Sequence, residues 1–284
     1  MNRMIVVGID DSTAGEVALE WAMRRAEGVS SPVTLMHTVY ETWLADGYGY
    51  YDSILEGEKK LLAAAGARAS VVAPGVPTHT ELRTGSAPRI LSELSKEASL
   101  IVVGTAQKSR VEGELFGSVS LQIAALSHCP VAVIPDLPAT ERSGVYVGVD
   151  GSADSVAAVT FAAAEADRTG QDLFALYAVH LPNHRVLRRI PADAVTERME
   201  EERIVLAESV AGLGKRYPDL RVHQVLETDE SPARALVAAA RQAQLLVVGS
   251  RGRGSLQRLL MGSVSHEVLL HLTCPTIVTR TTHT

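Results

Sequence analysis

Short apolar runs alternate with stretches of helical periodicity along this chain, and the alternation is regular. In the first half the apolar runs fall at residues 4–9, 33–40, 78–83, 100–104 and 131–134. Leu100-Ile101-Val102-Val103 contains no polar position, as expected of a parallel strand covered on both faces. Between the runs the spacing changes. Ile90, Leu91, Leu94 and Ala98 mark one helical stripe, and in the second half Val195, Met199, Leu206, Val210 and Leu213 mark another. Ser12 and Ser152 stand where a hydroxyl caps a first helix. Strand and helix alternating in this way predict an α/β fold, an open sandwich of parallel strands joined by right-handed crossovers. No apolar stretch approaches the ~20 residues that span a bilayer. The run from Met4 to Val7 meets Asp10 and Asp11 too soon for a signal-peptide core.

The pattern is written twice. Gly8-Ile9-Asp10-Asp11-Ser12 returns as Gly148-Val149-Asp150-Gly151-Ser152, and Trp21 as Phe161, at an offset of 140 residues. At an offset of 145, Ile101-Val102-Val103-Gly104 returns as Leu246-Val247-Val248-Gly249, Gly117-Ser118-Val119-Ser120 as Gly262-Ser263-Val264-Ser265, and Cys129-Pro130 as Cys274-Pro275. A period this long is a duplicated domain, not a solenoid unit. The polar, Pro-containing stretch Asp136 to Ser143 joins the copies, which places the domains at 1–137 and 144–284. Each copy is expected to fold as its own five-stranded parallel sheet flanked by helices.

Composition narrows the chemistry. Only 4% of the 284 residues are aromatic, so the core must be built from Ala, Val, Leu and Ile in closely layered helices and sheets. The net charge of −6 disfavours nucleic acid as a partner, because that affinity rests on Lys and Arg neutralising phosphates. Two Cys make neither a disulfide framework nor a four-Cys zinc site; Cys129 and Cys274, each before Pro, read as buried small hydrophobes. The nine His show no ligand spacing, and no protein-held metal is expected. Glu200-Glu201-Glu202-Arg203 reads as a solvated helix face, and the Tyr- and Gly-rich segment Trp43 to Tyr51 as a loop. The expectation is a soluble protein of the reducing cytoplasm with no membrane partner.

In open α/β sheets, ligands bind beyond the carboxyl ends of the strands, where the strand order reverses. The residues that a sheet does not need cluster after two strands. After the first come Asp10 and Asp150, each two positions beyond a glycine, Gly8 and Gly148. After the fourth comes, in the second copy, Gly249-Ser250-Arg251-Gly252-Arg253-Gly254-Ser255, then Gly262-Ser263-Val264-Ser265 opening a helix. Glycines let backbone approach a ligand, and the amides at a helix start receive phosphate. Arg251, Arg253 and Arg258 supply local positive charge.

The spacing Gly249-x2-Gly252-x9-Gly262-Ser263, with Gly148-Val149-Asp150 upstream, resembles the ATP-binding pattern of the universal stress protein family. Both halves resemble it over nearly their whole length, as in the tandem-domain members common in actinobacteria. The resemblance implies a five-stranded sheet of order 3-2-1-4-5 in each half, of the adenine nucleotide alpha hydrolase-like, Rossmann-like kind. It implies ATP as ligand, with any Mg²⁺ carried in by the nucleotide. Asp150 and Asp10 would lie near adenine, Gly148 and Gly8 would allow close approach, and Ala178 and Thr38 would line the base. The glycine loop and the helix start from Gly262 to Ser265 would hold ribose and phosphates; in the first copy these are Gly104, Arg110, Gly117, Ser118 and Val119. It further implies association through the last strand of the sheet, either as a homodimer or as an internal pseudo-dimer pairing Val131–Ile134 with Thr276–Thr279.

The first copy departs from the pattern. Gly104-Thr105-Ala106-Gln107 puts Gln where the second glycine belongs. Lys108 to Phe116 balances Lys108 and Arg110 against Glu112 and Glu114, whereas Arg253 to Met261 carries only Arg253 and Arg258. The second site is therefore expected to bind ATP more tightly. A Gly-x4-Gly-Lys-Ser/Thr loop and a Gly-x-Ser-x-Gly elbow are both missing, and no Lys lies in the second glycine-rich segment. The expectation is a nucleotide-dependent regulator of a stress or growth-arrest response, binding without efficient turnover and without catalytic residues. The alternatives are an interaction protein with vestigial sites and a weak ATPase.

Overall fold

A computed structural model describes residues 3–39, 51–105, 118–138, 141–179, 188–253 and 261–281. The chain divides into two compact units, Met1–Pro138 and Ala139–Thr284. In the first, β1 (Ile5–Gly8), β2 (Val33–Val39), β3 (Thr78–Thr84), β4 (Leu100–Thr105) and β5 (Val131–Pro135) are all parallel and lie in the order β3-β2-β1-β4-β5. In the second, β6 (Val145–Val149), β7 (Leu173–Ala178), β8 (Val222–Glu227), β9 (Leu245–Gly249) and β10 (Thr276–Thr279) repeat that order as β8-β7-β6-β9-β10. Both sheets thus have the order 3-2-1-4-5. The reversal lies between the first and fourth strands, where Val6 pairs with Ile101 and Tyr146 with Leu246, so the crevice opens beyond those two strand ends.

The first unit also carries α1 (Thr13–Val29), α2 (Tyr51–Val72), α3 (Ala87–Leu94) and α4 (Ser118–Leu126). The second carries α5 (Ala153–Thr169), α6 (Ala192–Val210), α7 (Leu213–Arg216), α8 (Pro232–Ala240) and α9 (Ser263–Leu270). The helix that follows each first strand begins as the serines predict: Ser12 Oγ accepts from the Gly15 N–H at 3.0 Å and Ser152 Oγ from the Ser155 N–H at 3.2 Å. Small residues then set how close these helices come to the sheet. The buried stripe of α1 is Ala14, Ala18, Leu19, Ala22, Met23 and Ala26, and that of α5 includes Ala158, Val159, Ala162 and Ala166. A Cβ on Gly104 would fall 2.4 Å from the Ala14 carbonyl carbon, and one on Gly249 3.0 Å from that of Asp154. Helix and strand backbones touch there, which is how a core poor in rings reaches native packing density.

The sheets' central strands are buried up to the glycines near their exits. Ile5, Val6, Val7, Leu100, Ile101 and Val102 in the first unit and Val147, Leu246 and Val247 in the second are fully inaccessible, each contributing roughly 1.5–3 kcal/mol of apolar burial. Two of the predicted stripes run shorter than expected. Ala98 is buried but lies beyond α3. Leu213 lies beyond α6, because Ala211 leaves helical geometry at ψ 137° and Gly212 takes a left-handed φ of 82°. The buried side of α6 is Glu202, Leu206 and Val210, with Val195 and Met199 only half-covered. The acidic run is therefore not uniformly solvated; one of its three carboxylates is inside. Among the described residues no helix is long and apolar enough to cross a membrane.

Candidate functional site

The crevice of the second unit holds a cavity of about 510 Å³. The first-strand exit contributes Gly148, Val149 and Asp150; β7 contributes Leu176, Tyr177 and Ala178; β9 and its exit contribute Gly249, Arg251, Gly252 and Arg253. The start of α9 completes it with Gly262, Ser263, Val264 and Ser265. Gly262 is the N-cap of that helix and has no side chain to cap it, so the first-turn amides are open to an acceptor in the cavity.

Two carboxylates fix the path of the glycine loop. Asp150 Oδ2 accepts from the Arg253 N–H at 2.8 Å, and its Oδ1 from the Ser152 N–H at 2.9 Å. Gly252 lies directly against this carboxylate: a Cβ there would be 2.5 Å from Oδ2, so no side chain fits. Asp154, in the first turn of α5 and 4% exposed, collects Ser250 Oγ at 2.8 Å, the Arg251 N–H at 3.1 Å and Arg251 Nε at 3.4 Å on Oδ2. Its Oδ1 accepts from the Thr281 N–H at 3.1 Å and from the Thr281 hydroxyl. Burial pushes the Asp154 pKa up, but the bonds from Thr281 and Ser250 and the Arg251 charge outweigh it and hold the carboxyl below its usual range.

Ser250 differs from its neighbours. It is wholly buried, bonds to Asp154, and accepts from the Gly262 N–H at 2.7 Å and from Ser265 Oγ at 3.0 Å through its carbonyl. It stitches the loop to α9 from behind and does not line the cavity.

One wall carries a buried ionic cluster that sequence reasoning assigned to solvent. The Tyr177 hydroxyl donates to Glu202, which is 2% exposed and also pairs with Arg198. Arg253 reaches the same pair, with Nη1 3.4 Å from the Tyr177 hydroxyl and 3.9 Å from Glu202. Burial and then the Glu202 hydrogen bond and charge push the Tyr177 phenol up to about 12, against the opposing pull of Arg253 and Arg198. The spacing of four from Glu202 to Leu206 to Val210 is the signal that would have found it.

The first unit has a cavity of about 660 Å³ at the matching place. Gly8, Asp10, Thr38, Gly104 and Val119 of the predicted set line it, joined by Asp11, Met36, His37, Glu58, Leu61 and Leu91. Among the described residues the Asp carboxylate bonds within its own turn. Asp10 Oδ1 accepts from the Ser12 N–H at 3.1 Å and from Ser12 Oγ at 2.6 Å, turned back on α1. His37 stands at the register of Tyr177, its Nδ1 2.7 Å from the Ile9 carbonyl oxygen and its Nε2 2.8 Å from Glu58. The carbonyl only accepts, so Nδ1 carries a proton and Nε2 meets the carboxylate. Arg110, Gly117, Gln107, Gly254, Arg258, His180 and His184 lie outside the described residues, as does the segment predicted as a loop apart from Tyr51, which opens α2; Ser118 opens α4. Cys129 and Cys274 are buried, each with Sγ against the carbonyl oxygen of the following proline, and burial pushes the Cys274 thiol up to about 11.

The family model described as the universal stress protein family matches residues 1–135 and again 143–280. This chain belongs to the universal stress protein family. Universal stress protein Rv2623 of Mycobacterium tuberculosis is 39% identical over 295 residues, covering 97% of this chain and 96% of its own. A universal stress protein of Mycolicibacterium smegmatis is 36% identical over 290 residues, with the same two coverages. Both relatives run the length of the duplicated chain, so the tandem arrangement is theirs as well. Among solved structures, a universal stress protein from Archaeoglobus fulgidus superimposes with a TM-score of 0.70 at 21% identity over 98% of each chain, a likeness of fold.

Proposed function

We propose that the second cavity binds an adenine nucleotide, ATP foremost, and that the chain acts as a nucleotide-dependent regulator in a stress or growth-arrest response. The observation that carries this reading is the loop held by Asp150 over a cavity with an apolar wall on one side and two arginines and a helix start on the other. Val149, Leu176 and Ala178 suit the flat apolar face of a base, and Asp150 offers acceptor oxygens to its exocyclic amine. Arg251, Arg253 and the first amides of α9 suit phosphate oxygens. Binding without efficient turnover fits the lining. Among its described residues Asp150 is the one carboxylate, it is already committed to two backbone amides, and no Lys or His is present to handle a proton.

The first cavity is the weaker nucleotide site in this reading. Its described lining brings Asp10, Asp11 and Glu58 and no Arg or Lys, and carboxylates oppose a polyphosphate. Association through β5 and β10, as homodimer or internal pseudo-dimer, belongs to the same proposal, and native mass spectrometry of the purified protein counts the chains. Calorimetric titration with ATP tests the whole. Asp150→Ala is expected to abolish most of the binding while Asp10→Ala leaves it nearly intact; equal losses refute the ranking. A folded protein that ignores millimolar ATP and carries no extractable nucleotide refutes the function and favours a protein that works through contacts alone.

A further inference from the structure

Asp154 belongs to no part of the sequence motif, lines neither described cavity, and is nonetheless the most heavily bonded carboxylate among the described residues. We infer that Asp154 is a positioning residue that aims Arg251 at the anionic end of the ligand in the second cavity, a role the first copy lacks. The inference rests on the nucleotide reading for the identity of the ligand and on geometry for the rest. Five donors converge on its two oxygens from two separate places, the β9 exit (Ser250, Arg251) and the chain just beyond β10 (Thr281). The carboxylate is 4% exposed and Ser250 is fully buried, whereas the Arg251 side chain is 29% exposed and lines the cavity. Nε of Arg251 is turned to Asp154 while its backbone N–H is held by the same oxygen. A guanidinium anchored through Nε still has its Nη pair to offer, in the fork geometry that matches phosphate oxygens.

The first copy has nothing equivalent. Ala14 stands at the Asp154 position, and Thr105-Ala106 stand where the second copy has Ser250-Arg251. Carboxylate, serine and arginine occur together in one copy and are all replaced in the other, as a device and its target would be. Charge alone makes the opposite forecast. A buried negative group this near an anion site weakens anion binding by Coulomb repulsion, so its removal should tighten binding. Positioning demands that removal loosen it, and the sign of the effect separates the two accounts.

The test uses the full chain and two titrants, ATP and adenosine, with Asp154→Asn as the main variant. Asn keeps the shape but cannot accept all five bonds, and a bond to a charged group carries enough free energy to change affinity about tenfold. Asp154→Asn is expected to weaken ATP about tenfold and adenosine less than twofold, and to add nothing in an Arg251→Ala background. In the ligand-free protein, amide exchange at Arg251 and Thr281 is expected to accelerate. Should Asp154→Asn not fold, Ser250→Ala removes one bond of the clamp without touching the cavity and is expected to weaken ATP a few-fold with adenosine unchanged. Unchanged or tighter ATP binding, an equal loss for adenosine, or a full additional loss on top of Arg251→Ala overturns the inference while leaving the nucleotide reading standing. A wild-type chain that binds neither titrant overturns both, and unchanged exchange at Arg251 overturns the clamp whatever binds.

Discussion

The two copies share a sheet order and part company at the carboxylate that follows their first strand. Both accept the N–H of the serine two positions on; Asp150 Oδ2 also takes the Arg253 N–H, whereas Asp10 Oδ1 also takes the Ser12 hydroxyl. A neighbouring position differs along with these bonds. At residue 15 a Cβ would sit 2.3 Å from Asp10 Oδ1, so the folded-back pose exists because that residue is Gly. The second copy has Ser155 there, whose hydroxyl instead accepts the Asp150 N–H at 3.1 Å, and the carboxylate is turned outward. The backbone is shared, and in the second copy the same acidic group serves both the helix start and the glycine loop. The shared letter of a motif does not fix its partners alone; the residue five positions on also shapes them.

The comparison breaks most visibly at the β2 and β7 walls. Glu202→Ala strips a buried carboxylate from Tyr177 and Arg198 and is expected to cost about 3 kcal/mol in urea unfolding. Glu58→Ala, whose side chain is 23% exposed beside His37, should cost no more than about 1 kcal/mol; equal costs would erase the distinction. Next in size is Gly252→Gln, which writes the first copy's residue into the second. With no room beside Asp150, it should weaken ATP about a hundredfold by calorimetry through loss of the loop's path, and unimpaired binding would acquit Gln107. A pH series sharpens the wall further. The Tyr177 phenol is raised in the folded state, so its contribution is complete below the ordinary value near 10 and is lost as pH climbs toward 12. Tyr177→Phe should flatten the fall in stability over that alkaline window. Smallest is the cap of the first helix. Ser30 ends α1 at φ 52° and Gly170 ends α5 at φ 64°, and left-handed backbone strains a residue with a Cβ. Ser30→Gly is expected to stabilise by about 0.5–1 kcal/mol and Gly170→Ser to destabilise by as much, by the same unfolding assay.

Much of this was legible in residue order. The apolar runs became the central strands because a parallel strand under two layers of helix tolerates no polar position, and Ser12 and Ser152 cap as expected. The described members of the second motif, Gly148, Asp150, Ala178, Gly249, Arg251 to Arg253 and Gly262 to Ser265, converge on one cavity, with Ser250 alone turned away. What stayed hidden was polar and internal. Glu202 sits in an acidic run that looks solvated, and only its spacing from Leu206 and Val210 betrays the buried side. Asp154 reads as an ordinary acidic residue of a first helical turn, favourable to the helix dipole, until the sheet delivers Ser250, Arg251 and Thr281 to it from more than ninety residues away. His37 and Tyr177 are hidden inside apolar runs, although both copies place a polar-tipped ring at the same register.

The contact between Gly104 and Ala14, and between Gly249 and Asp154, means that beside each crevice main chain lies on main chain. At those two glycines no side chain can be added without parting helix from strand. Change can accumulate on the rims without loosening what lies beneath, so a gene that doubled could let one pocket drift toward a new guest while its twin kept the old one.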